Sequence, residues 1–574
     1  MAKPPKKKKA KAKPKRSAEE KKALKLKRDH IRSARAVFRN AGFDRVAEIA
    51  EEEVSFDGQA GEFDDAYLYE NVLLLIEYTT SQSSDVTDHL KKKKILFRKI
   101  VDNPKNFLSY MRGKFAKFEE RLSGAYHEDR YIIRIVYCSR YEFDAGVKGT
   151  VNEPVYLDYP VLKYFEKISS VIKLSSQREF LAFADVDPQE VGSGGKFPKK
   201  GTLEPYEGLL LPEEASGFPM GYKVLSFYCD ASSLMERAFV LRRNGWRGSF
   251  EAYQRMLLPS KVEAIRRALK KVGQVAVNNI IVTLPADVHP VDLDGKTINP
   301  SVLTKTEPAR ITLPLRANSV GLIDGQHRLF AYYRSRADDE KIAKLRHEQH
   351  LLFTGVIYPE SMSEVERERF EAKLFLSINS NQTSAPTQLR QEIEVLLNPF
   401  GTTAIAKQVM QRLAVSAPLS GHVETYFFDK GKLKTSSIVS YGLVPLLKPS
   451  GTDSLFGPFS HPDKTKIPTG SSEEALQEYI KFAASQIGIF LSAVKANVAN
   501  ERWTTDAAVK NRILTVTYVN AFLICLRKVI ESGGALTFDA LRPKLKGIDT
   551  FNFKAFHSSQ YNRMAEKIYE TYLK

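Results

Sequence analysis

The apolar positions of this chain change their period several times, and each change marks an element. Glu19 to Ala41 has helical composition, and Gly42 follows as a natural C-cap. Glu62 to Tyr69 and Val72 to Thr79 read as two strands joined by the polar pair Glu70-Asn71, a hairpin-type connection. Asp88 to Arg98 reads as a basic helix and Tyr131 to Tyr137 as an apolar strand. These segments predict a helix–strand–strand–helix–strand block over residues 29–145. Residues 146–220 are less regular and read as a connecting region.

A second block begins near Gly221. Val224 to Tyr228, Asn279 to Leu284, Val320 to Ile323 and Leu351 to Tyr358 read as strands. Pro259 to Lys271 is an amphipathic helix with Val262, Ile265 and Leu269 on one side, and Ser363 to Phe375 is a charged helix. The alternation predicts a mixed α/β domain over 221–395. Residues 396–574 read as mostly helical, interrupted by a loop rich in Pro, Gly and Ser from Pro449 to Ser472. The fold class expected for the whole chain is α+β. A length of 574 residues leads to an expectation of two to four domains.

Charge changes the picture at one end. Residues 1–28 hold fourteen lysines and arginines against Glu19 and Glu20, which is +12 of the chain's net +19. With Pro4, Pro5 and Pro14 and almost nothing apolar to bury, this segment is expected to be a disordered basic tail, at least to about Ser17. It could grip phosphates without sequence preference, solubilise the chain, direct it to a nucleus or tether it to a membrane surface. The three cysteines, Cys138, Cys229 and Cys525, form no CxxC, which fits a reducing cytoplasm. No signal peptide is visible, and the longest apolar stretch, Ile513 to Leu526, is too short to span a bilayer and reads as a buried helix. The expectation is a cytoplasmic protein without membrane partners. Gly192 to Gly201 resembles a P-loop only superficially: Glu190 stands where its first glycine is required, and Phe197 follows Lys196.

The densest candidate chemistry is Asp324-Gly325-Gln326-His327-Arg328, set between the apolar run Gly321-Leu-Ile and the helical Leu329-Phe330-Ala-Tyr-Tyr333. A helix start offers free N–H groups to an anion, and Gly325 lets the backbone approach a phosphate closely. His327 can act as acid or base, and Arg328 can grip phosphate oxygens as a bidentate fork. Asp324 suits Mg2+ binding or the orientation of His327 or a water, and Gln326 suits positioning of a water or base. An Asp N-cap followed by a structural His and Arg is the plain alternative.

The stretch GLIDGQHRLFAYY resembles the signature of the DGQHR-domain family, itself distantly similar to the ParB-like and sulfiredoxin nucleotide-binding fold. Tyr253-Gln254-Arg255 and Leu376-Ser-Ile-Asn379-Ser-Asn381-Gln382-Thr-Ser resemble that family's flanking elements, the second of them an Asn-rich strand end. The resemblance covers about 220–395. It implies ATP or CTP bound or hydrolysed at the motif, with Gln254 and Arg255 lining the site and Asn379, Asn381 and Gln382 contacting base, ribose or phosphate. It also implies a role in bacterial DNA modification or phage defence, beside DNA-modification or defence proteins. ParB-like relatives often dimerise, so a homodimer is an open expectation.

A second acidic site lies in the first block. Asp64 lies on one strand and Glu77 ends the next, 13 positions on. Two such carboxylates can hold Mg2+ while a lysine stabilises the attacked phosphate. The arrangement is similar to the PD-(D/E)XK nuclease family, in its Mrr or archaeal resolvase branches. The lysine expected two places after Glu77 is Thr79, so the cation must come from elsewhere, and the basic run Lys91 to Lys94 is the nearest source, with Lys91 the candidate. Three readings stay open: a DNA-acting enzyme that hydrolyses a nucleoside triphosphate at the motif, a DNA nuclease gated by nucleotide, and a non-enzymatic nucleotide-sensing DNA-binding regulator. The cluster Arg242-Arg243 and Trp246-Arg247 is a weaker candidate nucleic-acid surface.

Overall fold

Ser17 opens the first helix, α1 (Ala18–Asn40), with a capping box: its hydroxyl accepts the Glu20 N–H, and the Glu20 carboxylate accepts the Ser17 N–H. Residues 18–28, grouped by composition with the basic tail, are therefore the first turns of a capped helix. His30, Ala34, Val37 and Phe38 form its buried face. The computed structural model describes residues 17–122, 126–143, 145–192, 205–242, 246, 256–382, 387–557 and 559–574, and the tail expected over 1–16 lies outside them. The chain is α+β and divides into two compact units, Met1–Val240 with Met256–Tyr358, and Leu241–Arg255 with Pro359–Lys574.

Among the described residues the first unit holds two larger sheets and a two-stranded one. Strands β1 (Asp44–Arg45), β2 (Glu53–Phe56), β3 (Gln59–Glu62), β4 (Asp65–Tyr69), β5 (Val72–Thr79), β6 (Ile132–Ser139) and β7 (Val155–Leu157) come first. β2 and β3 form their own hairpin, and the others form a sheet in the order β1-β4-β5-β6-β7. β4 and β5 are antiparallel across the Glu70-Asn71 turn, while β5, β6 and β7 run parallel. The apolar run read as one strand from Glu62 to Tyr69 is thus split. Glu62 closes β3 against Glu53, and Asp65 opens β4. β7 carries the sheet past residue 145.

Helix α2 (Ser83–Asp102) covers one face of this sheet. The opposite face is covered by α1 and the helix Tyr159–Ile172. The two-residue period of the strands sorts their side chains between these layers. Leu73, Leu75, Ile133, Ile135 and Tyr137 join the core under α2. Tyr78 and Cys138, of the other parity, meet His30 of α1. Cover on both faces explains why β5 reads as a continuous apolar run rather than an alternating one.

The second sheet has seven strands: β8 (Tyr206–Leu210), β9 (Lys223–Asp230), β10 (Ala238–Phe239), β11 (Ile280–Leu284), β12 (Glu307–Ile311), β13 (Val320–Asp324) and β14 (His350–Ile357), in the order β10-β13-β11-β14-β9-β8-β12. β8 belongs to it although residues 146–220 read as a connection. β13 delivers Asp324 at its end, antiparallel to β11.

In the second unit, helices Glu473–Lys495 and Val516–Glu531 contribute heavily to one apolar core. The Ile513 to Leu526 stretch is largely the buried part of the latter. No helix among the described residues is long and apolar enough to cross a membrane. The segment from Leu376, expected to be a strand end, is the last part of the helix Glu364–Gln382. Its Ala, Leu, Glu, Arg and Lys residues favour helix more than its asparagines oppose it.

Candidate functional site

The end of β5 gathers the first candidate site. Asp65 pairs with Ile76, so Asp64 falls across from Glu77 on the neighbouring strand. The Tyr78 N–H donates to Asp64 Oδ2 at 2.7 Å and fixes that carboxylate beside Glu77. Asp64 and Glu77 share the α2 face with Leu73 and Leu75. Asp65, one residue on, turns to the α1 face, where it is fully buried and accepts from Arg35, Arg45 and the Tyr78 hydroxyl. A single step of strand alternation thus separates the two neighbouring acids.

The cation is Lys93 on α2. Its Nζ closes an ion pair with Glu77 Oε1 and donates to the Glu62 carbonyl at 2.7 Å. Lys91, proposed from the sequence, is exposed on that helix. Two residues turn a helix by about 200°, so Lys91 and Lys93 face opposite ways, and only one can meet the sheet. Thr79 acts on the Tyr137 hydroxyl through a side-chain hydrogen bond. His89, one turn before Lys93, is half-buried, with Nδ1 2.9 Å from the Tyr137 hydroxyl, and does not belong to a solvated face.

Burial is the main force on these groups. Glu77 is 4% exposed, and desolvation pushes its carboxyl up to about 7 against the opposing pull of Lys93; Asp64 and Glu62 push it the same way as burial. Asp64 is also raised, first by burial, with the Tyr78 N–H, Lys27 of α1 and Lys93 opposing. His89 is lowered by burial and by Lys93 and Lys92, which keeps its imidazole neutral near pH 7. Two carboxylates that resist ionisation together, beside one ammonium, form a site that gains from a further positive charge.

The donor set suits a hard cation. Asp64 Oδ2 and Glu77 Oε1 are engaged, and among the described residues the second oxygen of each carboxylate accepts no hydrogen bond. No cluster of three or more His, Cys, Asp or Glu is present among the described residues. Mg2+ is commonly held by one or two carboxylates, with waters and substrate phosphates completing its shell. Asp64 and Glu77 fit that pattern.

The Asp324 motif is arranged differently. Gly325 has φ +96° and caps a helix of only five residues, Gln326–Phe330. A Cβ there would lie 2.9 Å from Ile280 and 3.1 Å from the Arg328 guanidinium, so glycine is required by both backbone and space. Arg328 Nη2 donates to Asp324 Oδ2 at 3.0 Å and to the Asn279 carbonyl at 2.7 Å. The fork expected to grip phosphate is thus turned inward onto its own motif and the residue just before β11. Arg328 Nε is buried with no hydrogen-bond partner among the described residues. The Leu258 N–H donates to His327 Nε2 at 3.1 Å, which places the imidazole proton on Nδ1. Gln326 is buried.

Of the flanking residues, Gln254 and Arg255 lie outside the described ones, as do the side chains of Asn381 and Gln382. Asn379 donates to the Phe375 carbonyl one turn back on its own helix. Arg242 is buried, which removes it from the proposed basic surface, while Arg243 and Arg247 lie outside the described residues. Sequence reasoning missed the choice of Lys93 within the run Lys91 to Lys94, and the roles of Asp65 and Tyr78. The i, i+4 pair His89 and Lys93 on one face of a helix was the available signal for the first. Compared with known proteins, the chain matches no family model, no curated protein and no solved structure.

Proposed function

We propose that this protein is a metal-dependent phosphodiesterase acting on DNA. The observation that supports this reading is the meeting of Asp64, Glu77 and Lys93 at the end of β5, with Lys93 on a helix instead of two places after Glu77. A divalent cation, when bound, would polarise the scissile phosphate and lower the pKa of an attacking water. Asp64 and Glu77 would hold it, and the Tyr78 N–H would keep Asp64 oriented. Lys93 would offset charge building on the phosphate in the transition state. Neutral His89, held near Tyr137 on the same helix face as Lys93, would be a candidate to accept a proton from a water.

The test is cleavage of plasmid, linear and single-stranded DNA by the purified chain with Mg2+ or Mn2+. Glu77→Gln and Asp64→Asn should each lower the rate by about a hundredfold or more, and EDTA should abolish it. No cleavage of any of these substrates with either metal would overturn the reading. Tight DNA binding without turnover would favour the regulator instead.

A second reading concerns the Asp324 motif: a nucleoside triphosphate, ATP or CTP, is bound and hydrolysed there and gates the first site. It is supported by the Leu258–His327 hydrogen bond, which ties the segment following Arg255 to the motif, and by the incompletely satisfied Arg328 guanidinium. A setting in DNA modification or phage defence rests on the DGQHR resemblance. Asp324→Ala or His327→Ala should then abolish nucleotide hydrolysis and leave it intact in Glu77→Gln. Absence of hydrolysis of all four triphosphates, with and without DNA, would remove this reading and leave the first untouched.

A further inference from the structure

The outer face of α1 carries a regular line of cations. Lys21, Lys25, Arg28, Arg32, Arg35 and Arg39 recur at spacings of four, three, four, three and four. At about 100° per residue they fall within an arc of roughly 80°, opposite His30, Ala34, Val37 and Phe38. Eighteen residues of helix are about 27 Å long, the axial rise of roughly eight phosphates on one strand of a duplex. A basic helix face can be mere solvated surface, but here further parts of the fold build on it.

The C-terminal half of the line borders a cleft of about 730 Å³, shared with residues from elsewhere in the same unit. Arg45 on β1 and Arg336, close after the Asp324 motif, add two guanidinium groups to its wall. Their positions are held. Fully buried Asp65 accepts from both Arg35 and Arg45, and Arg336 pairs with Asp44 at 2.8 Å and donates to the Phe43 carbonyl. Asp44 and Glu51 are the acids on the wall, against six arginines. Arg39 has no ion pair among the described residues, and Arg28 donates only to a backbone carbonyl of its own helix. Arg32 pairs with Asp29 in the open, a bond that a phosphate can displace at little cost.

We infer that this face of α1, with Arg45 and Arg336, is a docking surface for the phosphodiester backbone of duplex DNA. A small phosphorylated ligand would fill the cleft alone and leave Lys21 and Lys25 unused, whereas a linear polyanion engages the whole line. The inference rests on the phosphodiesterase reading for its purpose but not for its test.

The experiment measures duplex binding by fluorescence anisotropy, in EDTA so that cleavage plays no part. The full chain carries Arg28→Gln, Arg32→Gln and Arg39→Gln together. Arg35 and Arg45 are kept because their loss would strand the buried Asp65 carboxylate. With a duplex of about 30 base pairs in about 0.15 M NaCl, the dissociation constant should rise at least about tenfold, and the slope of log K against log salt should shrink by about 2 to 3. A control with Lys344→Gln, Lys481→Gln and Lys546→Gln, the same charge change elsewhere, should stay within about twofold. Equal losses in both triple variants, or none in the first, would overturn the inference. Binding to phosphatidylserine vesicles that duplex DNA does not displace would overturn it in favour of a membrane surface. Cleavage by wild type with unchanged binding in the triple variant would sink the docking surface and leave the phosphodiesterase intact. Weakened binding with no cleavage by wild type would do the reverse.

Discussion

Lys93 and Glu77 stand sixteen residues apart, one on a helix and one on a strand, and close a largely buried ion pair at the end of the first sheet. The pair joins two problems into one solution. Glu77 is too deeply buried to ionise readily alone, and Lys93 would be costly to bury without a partner.

Lys93→Met should therefore lower metal-dependent DNA cleavage by about a hundredfold or more, since it removes the charge facing the phosphate. Lys91→Ala, on the exposed side of the same helix, should stay within about twofold of wild type. Rates of plasmid nicking with Mn2+ compare the two, and equal losses would count against Lys93 as the functional cation.

Glu77 should leave a signature in stability as well. Its folded pKa is about 7 against an ordinary 4.5, so the folded state holds a proton that the unfolded state has lost across that window. Stability then falls as pH rises from 4.5 toward 7. Glu77→Gln removes this titration, so from about pH 5 to about pH 8 without metal the stability gap between variant and wild type should move in the variant's favour by up to about 3 kcal/mol. Mn2+ should move it back by stabilising wild type alone. A gap independent of pH would contradict the assignment.

His30 works with the opposite sign. It is buried against Cys138 and Tyr78, and burial depresses its pKa below the ordinary 6.5. The neutral form is favoured in the fold, so stability is complete above pH 6.5 and is lost as pH falls below it. One such histidine contributes a slope of at most about 1.4 kcal/mol per pH unit, and His89, also depressed, adds to it. His30→Gln should unfold more easily at neutral pH but show a shallower acid slope in chemical denaturation.

The Asp324 motif should prove structural under substitution whatever it binds. Gly325→Ala requires φ +96° of an alanine and drives its Cβ against Ile280. A loss of about 2 kcal/mol or more is expected. Arg328→Ala strands Asp324 and the Asn279 carbonyl, at about 1–3 kcal/mol. Thermal denaturation tests both, and an undiminished melting temperature in either would mean that the motif is more loosely held than its contacts indicate.

Much of the frame was legible in the residues. The strand from Val72 to Thr79, the turn at Glu70-Asn71, the helix from Pro259 and the burial of the Ile513 to Leu526 stretch all follow from local periodicity and turn chemistry. The second hairpin, Glu53–Phe56 with Gln59–Glu62, was not, because its residues are mostly polar or small and only Val54 and Phe56 are buried. The segment at Asn379 read as a strand end only through the family resemblance, while its place in a helix depends on the residues before it.

By itself the sequence determined that Asp64 and Glu77 would share one face of one hairpin, because strand alternation and a two-residue turn leave no other register. It also determined the line of cations on α1, because helical spacing is local. Only the tertiary structure decided which lysine meets Glu77, since that depends on how α2 is rotated against the sheet. It alone decided that Arg328 turns inward to Asp324 and Asn279, and that Arg45 and Arg336 join the α1 face, because those contacts cross between elements far apart in the chain. Spacing along a helix or strand fixes which side chains lie side by side, and packing decides what they meet.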